Sequence, residues 1–128
     1  MKPLTHEWIE KAEGDFYTAQ RDYRARKHPN YDSACFHAQQ CVEKYLKAYL
    51  AEMEISFPKI HDLTRLIALL EPVAPMLSAY LEPARILTDY AVEFRYPGIR
   101  AEKIDAREAL KMCKDFRKLL RNRIGVVE

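Results

Sequence analysis

Two histidines and two arginines stand where proton transfer or anion binding could be arranged. His37 lies in Phe36-His37-Ala38-Gln39-Gln40, His61 in Lys59-Ile60-His61-Asp62-Leu63, and Arg95 and Arg100 bracket Tyr96-Pro97-Gly98-Ile99. Imidazole is the side chain whose ordinary pKa lets it take and return a proton near neutral pH. A guanidinium stays charged and matches phosphate oxygens. Two arginines around a rigid turn, just ahead of a helix start, therefore predict an anion site; a turn without any ligand fits the same residues. His61 equally suits a capping or packing role.

Two further polar faces emerge at helical spacing. His37, Gln40, Lys44 and Lys47, with Glu43 beside them, share roughly 80° of arc on one helix. Ordinary solvent exposure with a Glu43–Lys47 pair explains them, and a ligand-binding face is the sharper alternative. Arg100, Lys103, Arg107, Lys111, Lys114, Lys118 and Arg121 form a second stripe of similar width. That stripe could follow a phosphate backbone, although interleaved Glu102, Asp105, Glu108 and Asp115 favour a merely solvated surface.

Other chemistries lack their residues. There is no P-loop, no G-x-S-x-G and no H-E-x-x-H. Cys35, Cys41 and Cys113 form no C-x-x-C pair, and no two cysteines and no two histidines stand at metal-ligand spacing, so no metal and no cofactor are expected. An odd cysteine count inside helical patterns predicts reduced, buried thiols and a cytoplasmic protein. Glu7 and Glu10 interrupt any signal-peptide run, and no window reaches the roughly 20 apolar residues of a membrane span.

The elements that must carry these residues are helices. The chain has 128 residues, 48% hydrophobic and 31% charged, with a net charge of +2 and only 3 glycines. This predicts a single globular domain over 1–128, too near neutral for bulk charge to argue for nucleic acid. Residues 30–57 and 99–124 contain neither Pro nor Gly, which predicts two long helices. The full reading is a first helix over about 5–26 with Thr5 as N-cap, and a second over about 31–53. A short third helix covers 61–70, a fourth runs from Pro83 as its first residue to Phe94, and a fifth covers 101–124 with Gly125 as its stop. The second helix carries an apolar stripe of Ala34, Cys35, Ala38, Cys41, Val42, Tyr45, Leu46, Tyr49 and Met53, wide enough for two neighbours. The segment 72–83 reads as a loop with one helical turn. The fold class is all-α, an up-and-down antiparallel bundle of four to five helices. Tyr45, Tyr49, Phe94 and Tyr96 are aromatics that a core of this size need not enclose, and they are expected to anchor a two-fold homodimer.

Three segments resemble the HEPN family (higher eukaryotes and prokaryotes nucleotide-binding). They are Trp8 with Lys11-Ala12 and Asp15-Phe16; the run from Ala34 to Ala48, similar to that family's A-x-F-H-x-Q-Q-x-x-E-K-x-L-K-A helix; and His61-Asp62-Leu63 followed by Arg95-Tyr96-Pro97. The resemblance implies a helical bundle that dimerises through its long helices. It also implies a small nucleotidyltransferase as partner in a toxin–antitoxin type module, and a nucleotide or RNA ligand. Many members are metal-independent endoribonucleases whose signature is Arg, four to six residues, then His. From Arg95 that histidine would fall at Arg100, Ala101 or Glu102, and none fits. Arg21 and His28 have the spacing, but at the end of the first helix, where the resemblance does not place the pair. The expectation is therefore a ligand-binding partner protein using His37, Gln40, Lys44, Lys47, Arg95 and Arg100. The alternative is an endoribonuclease in which Arg95 stabilises the phosphate and His61 or His37 serves as the displaced base.

Overall fold

The computed structural model describes residues 1–126, and among these it contains five α-helices and no strand: α1 Pro3–Arg24, α2 Tyr31–Glu52, α3 Leu63–Leu69, α4 Leu81–Glu93 and α5 Lys103–Ile124. A 3₁₀ segment, Pro75–Tyr80, leads into α4. The polar links set the directions. Thr5 meets Glu52, and Asp22 meets Ser33, so α1 and α2 run antiparallel. Asp32 accepts from the Ala101 N–H near the start of α5, and Tyr45 reaches Arg121 near its end, so α2 and α5 run the same way. Arg95, just beyond α4, lies over Phe36 near the start of α2, which sends α4 in the opposite direction. The four long helices thus alternate up and down.

Most of the caps follow the local chemistry. Asn30 accepts from the Ser33 N–H at the start of α2, and Asp62 from the Thr64 N–H at the start of α3. The Glu102 N–H donates to Asp105, three residues into its own helix. Gly125 ends α5 with φ 93°, the left-handed conformation that glycine adopts without steric cost.

Two starts differ from the sequence expectation. Thr5 is not a cap: α1 begins at Pro3, and Thr5 sits inside the helix, fully buried, where its hydroxyl donates to Glu52 at 2.9 Å. A proline at the first helical position loses no hydrogen bond, so the helix can start earlier than the threonine suggests. Pro83 is the third residue of α4 rather than the first. The preceding 3₁₀ segment is already helical at its end, and the first turn tolerates a missing N–H anywhere along it.

α2 is the centre of the molecule. It packs against α1, α3, α4 and α5, four neighbours rather than two. Its buried set therefore extends past the expected stripe to Leu50, Gln39, Glu43 and Lys47, while Met53 is exposed. Tyr45 and Tyr49, expected at an interface, are core residues, because α1 and α5 close over that side of α2. Tyr96 remains exposed and Phe94 half-buried.

Candidate functional site

A cavity of about 430 Å³ opens where α2, the start of α3 and the end of α4 converge, lined by residues including Phe36, Gln40, His61, Thr88, Val92 and Arg95. α2 contributes Phe36, Gln39 and Gln40, one turn apart and hence on one face. α4 contributes an apolar wall of Ala91 and Val92 and, past its last turn, Arg95. The Arg95 guanidinium lies 5.9 Å from the Phe36 ring centroid and forms no ion pair with any described residue.

His61 is held from beneath. Its Nδ1 lies 3.1 Å from both carboxylate oxygens of Glu43. Glu43 is 3% exposed and takes Lys47 Nζ at 3.0 Å and Gln39 Nε2 at 3.2 Å. An ionised carboxylate can only accept, so Nδ1 carries the proton and Nε2 of the neutral ring is left as the free acceptor. Gln39 also donates to the His61 backbone carbonyl at 3.0 Å, which locks the segment to α2. Gln40 donates to Gln39 at 2.8 Å, extending the same network to the cavity wall. Carboxylate, oriented imidazole and unpaired guanidinium are the components of a phosphate site able to move a proton.

Of the residues expected from the sequence, Gln40, His61 and Arg95 line this one cavity. His37 and Lys44 gather elsewhere. Both face Asp15 of α1, Lys44 in a direct ion pair and His37 with Nε2 at 3.9 Å. The His37 Nδ1 lies 2.9 Å from the Ser33 carbonyl, so it donates there. Lys47 is not on a solvated face: it is 5% exposed, paired with Glu43, with Trp8 and Phe57 rings 5.5 and 5.9 Å from its ammonium. Arg100 lines a separate depression with Asn30 and Asp32. The basic stripe on α5 also loses one member, since Arg121 turns inward to Tyr45 and Glu13.

Phe36, Gln39 and Thr88 lie in the site without having been singled out as site residues. For Gln39 and Glu43 a signal existed: on a helical wheel both fall within about 20° of Leu50, on what must be a buried arc. A polar residue placed there needs a partner, and Gln39, Glu43 and Lys47 at steps of four supply each other.

The HEPN domain model matches residues 5–123. The chain belongs to the HEPN family. Two solved structures share the fold over nearly the whole of both chains. ST0689, described as an archaeal HEPN homologue, is 25% identical with a TM-score of 0.73, the match covering 97% of this chain and 99% of that one. TT1696 from Thermus thermophilus is 23% identical with a TM-score of 0.78, covering 94% and 98%. No curated protein matches the chain. In this HEPN domain the three-segment resemblance has a spatial meaning: the Phe36-to-Glu43 run, His61-Asp62 and Arg95 come from three separate stretches and meet at one cavity or directly beneath it. No helix among the described residues is long and apolar enough to cross a membrane, and no cluster of three or more metal-binding side chains occurs among them.

Proposed function

We propose that this HEPN domain binds a nucleotide or an RNA phosphate in the α2–α3–α4 cavity, as a homodimer that partners a small nucleotidyltransferase in a toxin–antitoxin type module. The unpaired Arg95 guanidinium at the Phe36-lined cavity is the observation that carries the reading. A cation beside an aromatic face and an apolar wall suits a ligand with a phosphate and a base. Exposed Val92 lines the cavity and, with exposed Tyr96, a neighbouring depression beside Arg95, and an apolar rim of this kind supports contact with a second copy. Expected of the wild type is binding of a fluorescent nucleoside monophosphate or short RNA, weakened at least tenfold by Arg95→Ala. Sedimentation should give a dimer at micromolar concentration, and size exclusion with a small nucleotidyltransferase should give a joint peak. Unchanged binding by Arg95→Ala would remove the ligand reading.

A second reading, metal-independent RNA cleavage, is favoured by one observation: Glu43 presents the His61 ring with Nε2 free. In that reaction His61 Nε2 takes the ribose 2′-hydroxyl proton. The 2′-oxygen attacks the adjacent phosphorus, and the 5′-oxygen of the next nucleotide leaves with a proton from solvent. Arg95 stabilises the charge on the phosphoryl oxygens. The test is cleavage of a structured RNA in EDTA. Loss of cleavage in both His61→Ala and Arg95→Ala supports this reading, and inert wild-type dimer excludes it.

A further inference from the structure

A second basic site lies away from the cavity, where the end of α1 crosses the first half of α5. Arg24, Arg107, Lys111 and Lys114 line one depression of about 200 Å³, with Tyr23 and Leu110 as its other walls. All four cations are exposed, and none forms an ion pair with a described residue. This separates them from Arg117, one turn further along α5, whose charge is neutralised by two hydrogen bonds from its Nε and Nη2 to Glu13 at 2.7 and 2.6 Å. The acids of α5 do not balance the cluster, because they lie on another flank. Asp105 and Glu108 act on Tyr90 of α4, and Asp115 lines a depression with Tyr80. On the helical wheel Arg107, Lys111 and Lys114 fall within roughly 60°, with the acids outside that arc. The separation of sign that α5 hides in its sequence thus appears once α1 and α4 define its two sides.

We propose that this α1–α5 groove binds the phosphodiester backbone of a single-stranded RNA, independently of the Arg95 cavity. From Arg107 through Lys111 to Lys114 the helix rises about 10 Å, which is the reach of two to three successive phosphates. Arg24 approaches from the facing helix, so a strand lying along the groove is held from both sides. Two arginines provide planar forks for phosphate oxygens, and the half-buried Tyr23 provides a ring against which a base can lie. An acidic protein surface would meet the charge but would make no use of the aromatic wall.

The test is fluorescence anisotropy of a 5′-labelled single-stranded RNA of about 20 nucleotides across a salt series, with wild type, Lys111→Glu/Lys114→Glu, Arg24→Gln/Arg107→Gln and Arg95→Ala. Each groove variant should weaken RNA binding at least tenfold and flatten the log–log salt slope by about 1.4, the release expected for two single-strand phosphate contacts. Both should bind a mononucleotide as wild type does. Arg95→Ala should weaken mononucleotide binding at least tenfold and flatten the RNA salt slope by no more than about 0.7, the share of a single phosphate contact. These readouts separate failure of the groove from failure of the cavity. Wild-type RNA affinity in both groove variants overturns the proposal. So does competition by a polyglutamate peptide of equal length as effective as that by unlabelled RNA. The altered side chains are exposed, and unchanged thermal melting by circular dichroism verifies that the variants are folded.

Discussion

Glu43 holds both His61 and Lys47 on its carboxylate, the imidazole nitrogen 3.1 Å from each oxygen and the ammonium 3.0 Å from Oε2. The two contacts differ in kind. Lys47 is buried with Glu43, whereas the His61 side chain is 78% exposed. Replacing Glu43 by Gln leaves a buried ammonium without its counter-charge, which costs about 3–5 kcal/mol. His61→Ala removes an exposed partner and should cost under about 1 kcal/mol. The double variant Glu43→Gln/Lys47→Met should recover most of the loss, because neither charge is then left buried. Urea unfolding checks all three, and a Glu43→Gln protein as stable as the wild type would refute the account.

The helices were legible because their evidence is local. Breaker-free windows, Asn30 and Asp62 before apolar runs, and Gly125 after one need only neighbouring residues to be read. What failed was whatever depends on a distant segment. Lys47 looks like a solvated lysine until Trp8 and Phe57 arrive from other parts of the chain. Tyr45 looks like a spare aromatic until Glu13 and Arg121 converge on its hydroxyl. At the site, His61 and Arg95 were recognisable as residue types. That they share a cavity follows from α4 running back along α2, which periodicity does not specify. The stripe on α5 was visible, but that its Arg121 is neutralised follows only from Glu13 of α1 lying beside it.

Glu13 joins α1 to α5 by accepting from Arg117 and from the Tyr45 hydroxyl, the latter at 2.6 Å. Burial alone would raise its pKa. The bonds from Arg117 and Tyr45, with the charges of Arg117 and Arg121, outweigh burial and hold it below the usual carboxylate value. A depressed native pKa means that the unfolded chain binds the proton more tightly. The stabilisation is therefore complete above the ordinary carboxylate pKa of about 4.3 and disappears as pH falls through the native value. Glu13→Gln should lower stability near pH 7 by about 2 kcal/mol, the scale of charged hydrogen bonds. The gap from wild type should close on acidification below pH ~4. Thermal melting of both proteins from about pH 7 to about pH 3 measures this, and a constant gap would contradict it.

Thr5 and the Lys2 backbone N–H both bond Glu52 Oε1, at 2.9 and 3.0 Å, tying the first turn of α1 to the last turn of α2. Thr5→Val keeps the shape and removes one donor. It should cost about 1 kcal/mol and speed amide exchange in the first turn of α1 without affecting α5. Hydrogen exchange by mass spectrometry reads the location; a loss spread evenly over all helices would argue against a local tie.

The three cysteines are fully buried, and none forms a disulfide. Burial, followed by the charges of Asp105 and Asp32, pushes the Cys35 thiol up to about 12. Burial also raises Cys41, with a further contribution from its contact with Cys113. Alkylation requires both the thiolate and access, and the native fold withholds the two together. At about pH 8 iodoacetamide should leave the folded protein unlabelled on the timescale in which a free thiol reacts fully. Labelling should appear at all three positions together as the protein crosses its unfolding transition in urea, because α2 and α5, which carry them, form one packed unit. Mass spectrometry counts the adducts. Early modification of Cys35 alone would mean that the α5 end opens independently, and the shared core inferred for α2 and α5 would have to be divided.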